Sequence, residues 1–275
     1  MMKKAATIIL NRNLPQVTDR LYEHLVAHDG DQTDIFVVEA GSDPEKLSRH
    51  ASWHASWPEA REHGLRYCRG MNYGLSQLWK DKTFGNYDAF FLLTNDTELR
   101  PRPSVGPLLE IMSRHQRLGI LSPCSERWGE RLLLDKHSTR YFWFIHNNAY
   151  FLRREFVESI FNPDAADPMG FLFDGTNFRG YLAESELIAK GYANDWAAAI
   201  TTEVWANENE SYLMNQSDLI KTEKYEENLR LYLEEGQKWL RTKYGFNSRW
   251  SMQQYVKSFY DKFFEFHPEF SQYKV

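Results

Sequence analysis

Three acidic positions stand where this chain turns from apolar to polar. In Tyr87-Asp88-Ala89-Phe90-Phe91-Leu92-Leu93-Thr94-Asn95-Asp96-Thr97-Glu98, an apolar run shaped like a buried strand ends in Asn95 and Asp96. In Val37-Val38-Glu39-Ala40-Gly41-Ser42-Asp43, a second apolar run ends at Glu39. Far downstream, Glu184-Ser185-Glu186 opens a helix-like stretch that closes at Gly191. A lone acid with hydroxyl and amide neighbours at a strand tip suits a hard cation and the phosphates it carries. Asn-Asp-Thr is also good turn chemistry, so residues 87–98 alone read as readily as a polar turn. The repetition at Glu39 and Asp96 points further, because ligands of open α/β sheets gather outside the carboxyl ends of the strands. A nucleotide would set its base and ribose near one tip and its phosphates near another.

The elements that must position these residues alternate through the first half. Buried strands are predicted at 6–10, 34–38, 65–68, 88–93 and 118–121. Between them, Leu14, Val17, Leu21, Leu25 and Val26 repeat at helical spacing, a helix is predicted over 70–79 with Gly70 opening it, and another over 105–114. A long loop carrying Trp53 and Trp57 follows the second strand. This rhythm implies a mainly parallel sheet with helices on both faces. Aromatic strand-like pieces follow at 139–145 and 149–152, then a loop-rich stretch over 162–180. A helix over 181–191, a strand over 197–205 and charged helices from about residue 219 complete the chain.

Composition narrows the classes. The 275 residues carry a net charge of −5 and no long basic run, which argues against nucleic acid as a main partner. The two cysteines, Cys68 and Cys124, form no CxxC pattern, so a zinc site or disulfide framework is not expected and a reducing cytoplasm is. The start has too short an apolar stretch for a signal peptide, and no stretch approaches the roughly 18 apolar residues of a membrane span. Aromatics at 15% suit a core first, and flat sugar or base faces second.

In order and spacing, these pieces resemble the family 2 type of glycosyltransferases, with the GT-A fold, of the kind that builds bacterial polysaccharides. The first strand tip is Leu10-Asn11-Arg12-Asn13, and the Asp-Asn-Gly-Ser-like turn is represented by Glu39-Ala40-Gly41-Ser42. The Asn-x-Gly helix start is matched loosely by Arg69-Gly70-Met71-Asn72-Tyr73-Gly74, and the metal motif by Thr94-Asn95-Asp96-Thr97. The acidic helix start is Gly180-Tyr181-Leu182-Ala183-Glu184-Ser185-Glu186-Leu187, and Trp239-Leu240-Arg241-Thr242-Lys243-Tyr244-Gly245 resembles endings of bacterial members. The likeness covers roughly residues 5–245. It departs at Asn95, where the motif has an acid, and at Glu184-Ser185-Glu186, which lacks the usual central Asp.

The resemblance implies a GT-A domain over residues 1–215, with a nucleotide-binding half over about 1–123 and an acceptor half over about 124–215, and a helical extension over 216–275 packed on it. It implies transfer from a nucleotide-diphosphate sugar, with inversion, to a saccharide or lipid-linked saccharide in surface polysaccharide or lipopolysaccharide assembly. A divalent Mg²⁺ or Mn²⁺ would sit on Asp96, and Asn11, Arg12, Glu39, Arg69, Asn72, Asn95 and Asp96 would contact the donor. Glu184 would be the catalytic base: Glu186, two residues on, is turned by roughly 200° and is expected to be a supporting or solvated acid. Each residue also has a plainer reading: a turn acid for Glu39, surface arginines for Arg12 and Arg69, a turn cap for Asn72. His146, Trp53, Trp57 and Trp128 read as structural before they read as acceptor contacts. The C-terminal helices are expected to dock on the catalytic domain, with subunit pairing or peripheral membrane association as alternatives. A sugar nucleotidyltransferase would carry a glycine-rich basic loop after the first strand, which Asn11-Arg12-Asn13-Leu14-Pro15 lacks, and no GxGxxG marks a dinucleotide oxidoreductase. A catalytically decayed binding protein on the same fold stays open because of Asn95.

Overall fold

Among the described residues, six of nine strands point the same way in one sheet of order β3-β2-β1-β4-β8-β6-β9-β5, with β7 pairing β9. The computed structural model describes residues 4–165, 167–209 and 211–275; Met1 to Lys3, part of the predicted start, lie outside the described residues. In chain order the first half runs β1 (Ala5–Asn11), α1 (Pro15–Asp29), β2 (Thr33–Glu39), β3 (Ala51–His54), α2 (Pro58–His63), α3 (Arg66–Lys80), β4 (Ala89–Thr94), β5 (Thr97–Leu99), α4 (Val105–Arg114) and β6 (Leu118–Cys124). The second runs β7 (Thr139–Tyr141), β8 (Tyr150–Arg153), α5 (Arg154–Ile160), α6 (Ala183–Ala193), β9 (Ala197–Glu208), α7 (Ser211–Asn215), α8 (Tyr225–Tyr244) and α9 (Arg249–Phe266).

β1 and β4 are covered on both faces, so they read as continuous apolar runs rather than alternating ones. Parallel pairing sets Asn11 beside Glu39 and Leu10 beside Thr94, which gathers three strand tips at one edge of the sheet. Beyond β4 the sheet becomes mixed: β8 runs antiparallel to both β4 and β6.

Several expectations are corrected. Residues 65–68, predicted as a strand, form the N-cap and first turn of α3. Gly70 does not open that helix but lies inside it, where a Cβ would come within 2.3 Å of Leu10 Cδ1; the glycine is there so that α3 can press on β1. The predicted loop holding Trp53 contains the strand β3, and the piece predicted over 139–145 is a strand only over Thr139–Tyr141. α5 and the three-residue β5 were not foreseen. α8 begins at Tyr225 rather than near 219. α9 packs on α6, burying Met252, Val256, Tyr260, Phe263 and Phe264, and the Tyr260 hydroxyl donates to the Tyr141 carbonyl at 3.2 Å. No helix among the described residues is long and apolar enough to cross a membrane.

Candidate active site

The tips of β1, β2 and β4 are fastened by side chains. Glu39 is fully buried; its carboxylate accepts from Asn11 Nδ2 at 3.1 and 2.9 Å, Ser42 Oγ at 2.5 Å and the Ser48 amide at 2.8 Å. Each of its oxygens is engaged by donors, as a carboxyl buried this deep requires. Glu39 therefore does not present an oxygen to a base or ribose, as was expected; it lies behind the tip and fixes Asn11 and the turn that follows β2.

In front of that network is a cavity of about 210 Å³, lined in part by Arg12, Ala40, Arg66, Asn95, Asp96 and Thr222. Asn11 is also on its wall. Asp96 and Asn95 border a second cavity of about 230 Å³ with Arg20, His24 and Tyr212. Asp96 thus stands between two hollows at the strand tips, held from behind by the Asn209 amide, which donates to its carbonyl at 2.9 Å. Arg12 closes one side, donating through Nη2 to the carbonyls of Arg61 and Glu62 at 3.3 and 3.0 Å. Burial, together with the charge of Arg66 beside it, lowers the Arg12 guanidinium to about 10.

Among the described residues, no group of three or more His, Cys, Asp or Glu side chains is placed to hold a metal ion. Mg²⁺ and Mn²⁺ in phosphate sites take one or two protein carboxylates and complete their shells with phosphate oxygens and water. Asp96 fits that role for an ion arriving with a phosphate ligand, and not for a standing metal centre.

Glu184 sits in the first turn of α6, reached through Leu182 in left-handed backbone at φ 54°. Burial pushes its carboxyl up to about 7, against the opposing pulls of its own backbone amide, the Ser185 hydroxyl and the charge of His146. It does not line the Asp96 cavities. Near it, desolvation first and then the charge of Glu184 raise the Tyr150 hydroxyl well above its ordinary range. Glu208 lies beside Thr97 in the β5–β9 ladder and accepts from the Asn148 amide at 2.6 Å.

Three expectations change here. Of the two readings of Glu186, supporting or solvated, the second falls: it is 3% exposed, accepts from Tyr244 at 2.6 Å and pairs with Lys243 at 2.6 Å, which ties α6 to α8. Asn72 fastens the turn-rich segment 168–173 to α3. Its Nδ2 donates to the carbonyls of Pro168 and Phe173, and its Oδ1 accepts from the amides of Leu172 and Phe173, all within 3.0 Å. Arg69 is spent on the Gly175 carbonyl at 2.8 Å and Glu59 at 2.9 Å, away from Asp96. Arg66, Arg179 and Glu130 were missed; His146, read as structural, is paired with Glu130. His146 Nδ1 meets Glu130 at 2.5 Å and stacks on Trp128 at 5.2 Å, and that carboxylate contact raises its pKa. Arg66 becomes legible as a cavity residue only if residues 65–68 are read as helix.

No protein-family profile and no curated protein sequence matches this chain. Its fold is the GT-A fold of solved glycosyltransferases. GalNAc-T7, solved with UDP, GalNAc and Mn²⁺, superposes with a TM-score of 0.57 at 11% identity, over 96% of this chain and 57% of that one. S. aureus TarS 1–349, solved with UDP, gives 0.51 at 11% identity, over 87% of this chain and 73% of that one. Likeness at such identity speaks for the fold, and this chain spans little more than half the length of the GalNAc-T7 chain.

Proposed function

We propose that this chain transfers a sugar from a nucleotide-diphosphate donor to a hydroxyl group of a saccharide or lipid-linked saccharide. The observation that carries the reading is Asp96 on a cavity shared with Arg12 and Arg66 at the carboxyl ends of parallel strands. That is where a diphosphate finds opposite charge and a parallel sheet leaves room for a ligand. In the reaction the acceptor oxygen forms a bond to the anomeric carbon as the bond from that carbon to the diphosphate oxygen breaks. The acceptor proton passes to Glu184, which lies outside the two Asp96 cavities and so must be reached from the acceptor side, and the bonding electrons leave with the diphosphate. A carboxyl near 7 is suited to take that proton at neutral pH. Direct displacement of this kind inverts the anomeric centre. Arg12 and Arg66 hold the leaving group in place as its charge grows. Asp96 would hold Mg²⁺ or Mn²⁺, whose chemistry is to neutralise the departing diphosphate.

On this reading Asn11 and Asn95 shape the donor wall, residues 1–215 form the catalytic unit, and residues 216–275 brace it. Assembly of bacterial surface polysaccharide or lipopolysaccharide at the cytoplasmic face of the membrane is the setting we infer. The competing reading is a binding protein that has lost catalysis; the use of Asn95 as an internal hydrogen-bond donor favours it. A panel of UDP-, GDP-, TDP- and CMP-sugars, assayed with and without Mn²⁺ and with mixed saccharide acceptors, separates the two. Turnover of one donor supports the transferase, and binding without any turnover supports the competitor.

A further inference from the structure

Two guanidinium groups grip one carboxylate beside the donor cavity, and a third, that of Arg12, shares the cavity wall with one of them. Arg66 Nη2 donates to Glu223 Oε2 at 2.9 Å and to Thr222 Oγ1 at 2.6 Å. Arg179 grips the same carboxylate with two prongs, Nη2 to Oε1 at 2.7 Å and Nη1 to Oε2 at 3.0 Å. Both guanidinium groups also reach Asn228 Oδ1, at 3.2 and 2.6 Å, and both lie near the Phe178 ring, at 5.6 and 5.9 Å from its centre. Arg12 adds its charge: Arg66 and Arg12 share the cavity wall, and after burial it is Arg66 that most depresses the Arg12 pKa. Like charges this close, away from bulk water, stay together only around an anion. Hydrogen bonds from Arg179, the largest effect, hold the Glu223 carboxyl well below the usual carboxylate range despite partial burial.

Glu223 arrives on a strap. Residues 211–224 cross the end of β1, where Asn13 Nδ2 donates to the Leu219 carbonyl at 2.9 Å, Lys221 pairs with Asp43, and Arg20 donates to the Tyr212 hydroxyl at 3.1 Å. Tyr212, Ile220 and Thr222 of this strap are walls of the cavity. The strap therefore roofs the cavity, and Glu223, near its end, binds Arg66, which lines the cavity.

Carboxylate and phosphate oxygens accept the same forked pair of guanidinium bonds. We propose that Glu223 is an internal stand-in for a donor phosphate: it occupies the arginine cluster when no anion is bound, and the diphosphate displaces it and lifts the strap. This rests on the reading of the cavity as a nucleotide-diphosphate site. An occupant present nine-tenths of the time weakens a competing ligand about tenfold.

Inorganic pyrophosphate, titrated calorimetrically into the full chain, tests the competition with no nucleotide or acceptor. Glu223→Gln keeps the size of the side chain and removes its charge, and is expected to bind pyrophosphate about tenfold more tightly than the native protein. Glu235→Gln removes the other carboxylate on Arg179, at 3.1 Å but outside the strap, and is expected to stay within about twofold. Equal or weaker binding by Glu223→Gln overturns the proposal, as does an equal gain in Glu235→Gln, which would reduce the effect to net charge. If Glu223→Gln does not fold, the native chain supplies the readout: pyrophosphate should speed tryptic cleavage after Lys221 and Lys224, and unchanged or slower cleavage overturns the proposal. The two readings fail separately. Tighter pyrophosphate binding by Glu223→Gln with no sugar donor turned over sinks the transferase and upholds the stand-in; donor turnover with no effect of Glu223→Gln does the reverse.

Discussion

The side-chain amide of Asn95 donates to Oδ1 of Asn11 at 2.9 Å. Asn11 passes the link on to Glu39 through its own Nδ2, so one run of side chains ties the tips of β4, β1 and β2. The second partner of Asn95, Thr18 Oγ1 at 3.2 Å, already gives its proton to the Leu14 carbonyl. Both groups facing the Asn95 amide are therefore acceptors. A carboxylate cannot donate to them, so the amide at 95 follows from the fold itself.

Asn95→Asp should therefore destabilise without creating a metal site. Two donated bonds are lost and a negative charge is set against Asn11 Oδ1, a cost of about 1–3 kcal/mol. Urea unfolding and Mn²⁺ titration check this. Unchanged stability with a gain in Mn²⁺ affinity would contradict it.

Glu184→Gln should leave donor binding intact and lower transfer by about 10²–10⁴-fold, the usual contribution of a general base. In the native protein kcat/KM should rise with pH on a limb centred near 7, where the Glu184 carboxyl loses its proton. A transfer rate within a fewfold of native would remove Glu184 from the base position.

The same carboxyl predicts a pH dependence of stability. Its folded pKa of about 7 lies above the ordinary 4.5, so folding favours the protonated form. The stability it contributes is full below about pH 4 and is lost as pH rises through 7. Glu184→Gln should melt higher than native at pH 8, and the gap should close toward pH 4.5. A gap that does not vary with pH would contradict the assignment.

Asp96→Ala should weaken Mn²⁺-dependent binding of the nucleoside diphosphate while leaving the fold intact, since Asp96 lies on the cavity wall. A loss of about tenfold or more is expected for a ligand to a bound cation. Calorimetric titration with and without Mn²⁺ measures it, and an unchanged Mn²⁺ effect would contradict the role.

Gly236→Ala should loosen α8 from the sheet domain. A Cβ there would lie 2.2 Å from Tyr181 Cγ, so the helix or the ring must move. Overpacking of this kind costs about 1–3 kcal/mol, read as a lower denaturation midpoint; a midpoint equal to native would show that the contact yields freely.

What the sequence made legible was whatever depends on local pattern. The apolar runs at β1, β2 and β4 and the periodic helix α4 were visible because each is long enough to show its burial. Residues 65–68 were not, because four residues carry no usable period, and with them Arg66 was missed as a cavity residue. The fates of Asn72 and Glu186 were illegible for another reason: their partners lie far along the chain, at Pro168, Phe173, Lys243 and Tyr244. Glu39 was placed at the right strand tip, but whether its oxygens face a ligand or Ser42 and Ser48 depends on a turn whose shape no residue pattern shows.

The most direct measurement is release of nucleoside phosphate from a panel of UDP-, GDP-, TDP- and CMP-sugars, followed by NMR in the presence of Mn²⁺. Release from one donor, accelerated by a hydroxyl acceptor and strongly reduced in Asp96→Ala and Glu184→Gln, is the predicted result. A chain that neither binds nor consumes any donor, or whose turnover survives both substitutions, would contradict the account.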